Sequence, residues 1–170
     1  QLQNFPAAIA YSSKVLTKSQ LSKSEKEEAT MIQANSYYQL GNNDKAATWF
    51  KKVVALSTDV DKAEAGYKLC EIHYLKDEYK QAEAEIFSYL KQKPSYDYWL
   101  AKGFILLADV YVKLEDNFQA KATLQSVIDG YTTDKDDIKP IAQSKLEAIV
   151  AAEEAKDNKT QELIEIEITE

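Results

Sequence analysis

Arginine is missing from this 170-residue chain, and its 21 basic side chains are all lysine. Arginine supplies the planar fork that grips phosphates and base edges through paired hydrogen bonds, so its absence argues against a nucleic-acid reader. The formal net charge of −7 at pH 7 argues the same way, because a phosphate backbone requires a basic face. Cysteine occurs once, at Cys70, which excludes an internal disulfide and any multi-cysteine metal site. Histidine also occurs once, at His73, leaving a single imidazole for a triad or a metal cluster. Four glycines and three prolines leave few breakers, which favours long helices joined by short turns. No apolar run approaches the roughly 20 residues that a membrane-spanning helix requires. The chain contains no glycine-rich phosphate loop, no His-Glu-x-x-His and no calcium loop. The acidic run from Thr133 to Asp137 lacks the glycine and closing glutamate of a calcium site and reads as a solvated turn. Neither a cofactor nor a metal is expected, and nothing here points to an enzyme.

What the chain does have is a recurrence. Ala8, Ala46, Ala82 and Ala120 stand 38, 36 and 38 residues apart, and the last three are followed four positions later by Phe50, Ile86 and Leu124. About twelve residues before those three alanines comes a small residue with a ring three positions on: Ala34 with Tyr37, Cys70 with His73, Ala108 with Tyr111. A period of this length signals stacked helical hairpins. Three are legible, over 27–59, 63–94 and 101–131, with turns at Gly41-Asn42-Asn43, Lys76-Asp77-Glu78 and Glu115-Asp116-Asn117. Glycine and asparagine in the first turn suit the left-handed backbone of a helix C-terminus. Cys70 and His73, occupying small and aromatic slots, are expected as packed core residues.

Both ends hold half-repeats. Residues 4–18 match only a second helix, and 136–156 only a first helix, with Pro140 in its opening turn. A repeat cannot bury its apolar face alone, so the uncapped start predicts further repeats upstream and self-association through exposed terminal helices. The segment 158–170 is expected as an extended or disordered acidic tail, because 163–169 alternates apolar and polar residues at strand period.

These residues resemble the tetratricopeptide repeat. Residues 63–94 match its pattern at Leu69, Cys70, Tyr79, Ala82, Ile86 and Pro94, and the other hairpins match at Ala34, Tyr37, Ala46 and Phe50 and at Leu107, Ala108, Tyr111, Ala120 and Leu124. Gln33 departs from the usual leucine and Ser12 from the usual aromatic. The resemblance implies an all-α fold, a right-handed α-α superhelix of about three full hairpins plus half-repeats over 1–157. The run 101–128 is similar to the final repeats of long Bacteroidetes tetratricopeptide proteins, which implies a periplasmic or envelope-associated location, with the cytoplasm as the other option.

In the resembled family the first helices line a concave groove. Carried over position by position, the groove set is Glu28, Met31, Asn35 and Tyr38, then Glu64, Tyr67, Glu71 and Tyr74, then Lys102, Ile105, Asp109 and Val112. The carboxylate clamp of the chaperone-binding branch needs lysine, asparagine and arginine there, and the acids at these positions argue against it. The implied groove is acidic and tyrosine-lined, suited to a basic or aromatic segment, with Tyr38, Tyr67 and Tyr74 as anchors. The implied function is a non-enzymatic scaffold binding a protein or peptide, without nucleic acid and without insertion of this segment in a membrane. The alternative is a structural spacer that binds nothing in its groove.

Overall fold

A computed structural model describes residues 4–94 and 96–169, with side chains as far as residue 159. Among the described residues there are eight helices and no strand: α1 (Phe5–Leu16), α2 (Lys23–Gln39), α3 (Asn43–Leu56), α4 (Val60–Leu75), α5 (Tyr79–Lys91), α6 (Asp97–Lys113), α7 (Asn117–Gly130) and α8 (Ile138–Thr169). The chain divides between Gly103 and Phe104 into two compact units, so α6 gives its first turns to one and its remainder to the other. In the first unit each of α1 to α4 packs on the next, and in the second α7 packs on α8.

Local chemistry sets the helix ends. Asn4 Oδ1 accepts from the Ala7 N–H at 3.1 Å, with Pro6 in the first turn of α1. Ser22 and Glu25 form a reciprocal capping box, which starts α2 four residues before the expected Glu27; the Ser-x-x-Glu spacing was its signal. Asn42 and Asp116 cap α3 and α7 singly, accepting from the Lys45 and Gln119 N–H groups. The three hairpin turns share one device. Gly41, Asp77 and Glu115 adopt φ of 70°, 58° and 63°. The following N–H of Asn42, Glu78 or Asp116 then bonds back to Tyr37, His73 or Tyr111 at 2.9–3.0 Å. This is the six-to-one closure that satisfies the last helix carbonyls.

The recurring pairs are the interior. Ala46, Ala82 and Ala120 are fully buried, as are Phe50, Ile86 and Leu124 one helical turn later. Cys70 is buried too; its thiol approaches the Gly66 carbonyl at 3.4 Å, and burial raises its pKa to about 12. His73 differs from expectation. Its side chain is 37% exposed and its Nδ1 lies 2.7 Å from Glu78 Oε2. The slot it shares with Tyr37 and Tyr111 lies at the end of the first helix, beside the turn, where all three are only half-buried.

Two departures from the family pattern answer each other. Gln33 and Ser12 are both buried, and Gln33 Nε2 reaches the Ile9 carbonyl at 2.9 Å, Ser12 Oγ at 3.0 Å and Ser13 Oγ at 2.6 Å. The α1–α2 contact is thus a hydrogen-bonded seam where the later repeats place Leu69 against the core around Phe50.

A further recurrence went unread in the sequence: Ala29, Gly66 and Gly103, each 37 residues apart. A Cβ on Gly66 would lie 2.8 Å from the Tyr89 ring and one on Gly103 3.1 Å from it, while Tyr89 Oη donates to the Ala63 carbonyl at 3.0 Å. Helix propensity alone would favour Gly66→Ala by up to about 1 kcal/mol. Overpacking against a ring held by its hydroxyl should reverse that sign, with a net loss of about 1–2 kcal/mol. In a Tyr89→Leu background the same change should be neutral or stabilising. Urea denaturation of the four proteins tests this, and equal losses in both backgrounds would exclude Tyr89 as the cause.

The C-terminal expectation is corrected. α8 runs to Thr169, so 158–169 is helical rather than extended; Glu170 lies outside the described residues. A lone strand would leave its backbone groups without partners. A helix already docked through Ile138, Ala142 and Ile149 adds one hydrogen bond per residue with no new nucleation cost.

Candidate functional site

α1, α2, α4 and the start of α6 enclose an open groove of about 1050 Å³. Glu28, Met31 and Asn35 reach it from α2, and Glu64 from α4, because residues three and four apart share a helix face. The rest of its wall was not anticipated. Phe5 and Ala8 come from α1, Ile32 from α2, Asp61 and Lys68 from α4, and Trp99 from α6. A separate cavity of about 230 Å³ beside Tyr89 is smaller than the 300–1,000 Å³ typical of ligand pockets.

The remaining positions have other partners. Glu71 accepts from Tyr38 Oη at 2.6 Å, from Tyr67 Oη at 2.8 Å and from Lys68 Nζ at 2.6 Å. The Lys68 ammonium lies 4.4 Å from the Tyr38 ring centroid and 5.5 Å from that of Tyr67, which adds cation–π attraction. Burial pushes the Glu71 carboxyl up, but the ammonium and two hydroxyls outweigh it and hold the group below its ordinary value. Burial, then the bond to Glu71, pushes the Tyr38 hydroxyl well above its ordinary value. This cluster ties α2 to α4 and leaves Glu71 little free acceptor capacity.

Tyr67 is buried rather than groove-facing, since Trp99 covers it with ring centroids 5.4 Å apart. Lys102 Nζ lies 5.7 Å from the same ring. Tyr74 packs against Tyr79 at 5.7 Å. In the second unit Asp109 pairs with Lys145 of α8 at 2.7 Å, Ile105 is buried and Val112 is exposed. The structure therefore gathers Glu28, Met31, Asn35 and Glu64 in the groove; it does not place Tyr38, Tyr67, Glu71, Tyr74, Lys102 or Asp109 on its wall.

Charge in the groove is one-sided. Among the described residues of the wall, Glu27, Glu28, Asp59, Asp61 and Glu64 face one ammonium, Lys68. The Asp61 carboxyl is raised by burial and then by Asp59 and Glu27. The Glu64 carboxyl is raised by burial; Lys68 offsets part of this, and Asp61 raises it further.

No family model matches the chain, and neither does any curated protein. Among solved structures, the crystal structure of MamA is similar, with a TM-score of 0.57 and 21% identity, covering 91% of this chain and 92% of that one. At this identity the likeness speaks to fold alone. With the eight helices and the buried repeat positions, it shows the all-helical tetratricopeptide-type array.

Proposed function

We propose that this tetratricopeptide-type array is a non-enzymatic interaction module that holds a protein or peptide segment in the groove between α1, α2 and α4. The observation that carries this reading is the groove itself: Met31, Ile32 and Trp99 line it beside Glu28, Asp61 and Glu64, which form no ion pair among the described residues. Apolar anchors with a polar surround are what a polypeptide ligand uses. A non-enzymatic role is supported by a histidine engaged with Glu78 and a thiol held protonated by burial. Among the described residues no three potential metal ligands cluster. The resemblance of 101–128 to the final repeats of long Bacteroidetes tetratricopeptide proteins supports placement in an envelope-associated complex.

A photo-crosslinking residue at Ile32, compared with one at Phe118 on α7, tests the reading in the cells that natively produce the protein. Phe118 is 76% exposed and serves as the reference surface. A discrete adduct at Ile32 alone, recovered in the envelope fraction, is expected. An adduct at Phe118 alone would move the interface off the groove, and none at either position would favour a spacer.

A further inference from the structure

We infer that the groove selects a polypeptide segment carrying lysine or arginine next to an apolar side chain, with Glu28, Asp61 and Glu64 receiving the cations and Trp99 and Met31 the apolar group. The inference rests on the reading of the groove as a binding surface and adds the chemistry of what enters it.

The fold has already engaged some of the groove's charges and left others open. Lys68, the one ammonium among the described residues of the wall, lies 2.6 Å from Glu71, outside the lining. Glu27 has Lys23 at 3.5 Å, but that lysine is 67% exposed and contributes little. Asp59 accepts from Ser57 Oγ at 2.8 Å and from the Asp61 N–H at 3.3 Å, and so serves as a cap. Glu28, Asp61 and Glu64 form no ion pair among the described residues. Asp61 and Glu64 stand three residues apart on one face of α4, with Glu28 across the groove on α2.

Lys68 offsets only part of the burden on Glu64, and Asp61 faces Asp59 and Glu27 as well, so an incoming cation would relieve both. A segment bearing carboxylates, or a C-terminal carboxylate, would add to that burden. Like-charge juxtaposition of this kind rejects wrong partners as strongly as attraction selects right ones. Trp99 and Met31 then give the stem of the cation or a neighbouring apolar side chain a surface to cover.

The test uses the full chain carrying Trp49→Phe, which leaves Trp99 as the sole tryptophan and makes its emission a reporter inside the groove. The probes are a short peptide alternating leucine and lysine, and counterparts with glutamine or glutamate in place of lysine. The lysine peptide should shift Trp99 emission and bind at least about tenfold more tightly than the glutamine peptide at low salt, with the glutamate peptide weakest. Glu28→Lys with Glu64→Lys should abolish that preference. Glu154→Lys with Asp157→Lys changes net charge equally at exposed positions on α8 and should leave affinity within about twofold.

Equal loss in both double variants would overturn the inference by reducing it to net charge. Equal binding of the lysine and glutamine peptides would overturn the selectivity while leaving the groove reading intact. No emission change with any peptide would remove both.

Discussion

Phe50→Ala should remove about 3–5 kcal/mol from the stability of the first unit. The ring is fully buried among Ala34, Ala46, Val53, Ala65 and Ile72, with Met31 and Leu69 packed against that cluster. Three of those neighbours are alanines on ordered helices, which cannot reach into the space a lost ring would leave. The cavity term is therefore expected near its full size. Tyr38 meets Phe50 edge-on, with ring centroids 6.1 Å apart and planes at 69°, so the loss also loosens a side chain that bonds Glu71. Phe50→Leu retains most of the volume and should cost no more than about 1.5 kcal/mol. Urea midpoints for the two variants give the comparison. A loss below about 1 kcal/mol for the alanine variant would show that α3 is not held by this packing.

Glu71→Leu should cost about 3 kcal/mol at neutral pH. It strips an acceptor from two tyrosine hydroxyls and leaves the Lys68 ammonium half-buried without its counter-charge. The pH dependence separates this from loss of packing. Because the folded carboxyl lies below its ordinary value of 4.5, the stabilisation is fully present above that value. It fades as pH falls through the lowered folded value. The gap between wild type and variant should hold from pH 7 to pH 5 and narrow below pH 4.5. Glu71→Gln keeps an acceptor but also loses the titration, so its gap should be smaller at neutral pH and narrow over the same range. Denaturation midpoints from pH 3 to pH 7 decide it; a gap that stays constant for the leucine variant would assign its cost to shape.

The repeat was legible because each spacing reports a packing requirement. Ala46 with Phe50, and its counterparts, join a small residue to a large one a turn later, and every one of those pairs is buried. The groove was legible only in part. Glu28, Met31, Asn35 and Glu64 line it, Met31 while also packing against the Phe50 cluster. Tyr38 and Glu71 leave in the same family-defined direction but reach each other between α2 and α4, and Tyr67 bonds Glu71 along α4. Register says where a side chain points; it does not say what it reaches. Trp99 shows this best, since it precedes the Ala101 start of its repeat and covers Tyr67 from the next hairpin. The C-terminal segment misled for another reason. Alternation predicts a strand only where another strand is available, and helix α8 was already under way.

An array of like parts risks joining them in the wrong order. At the place where α1 presents Ser12, helices α3, α5 and α7 present Phe50, Ile86 and Leu124. Any of these set against Gln33 would strand its amide in a dry contact, so a mismatched joint is penalised while a correct one is not. The Ser12–Gln33 seam therefore acts as a keyed joint. Growth can begin at any hairpin, but the Gln33 face of α2 is matched by the polar groups of α1 and not by the apolar residues that α3, α5 and α7 present there.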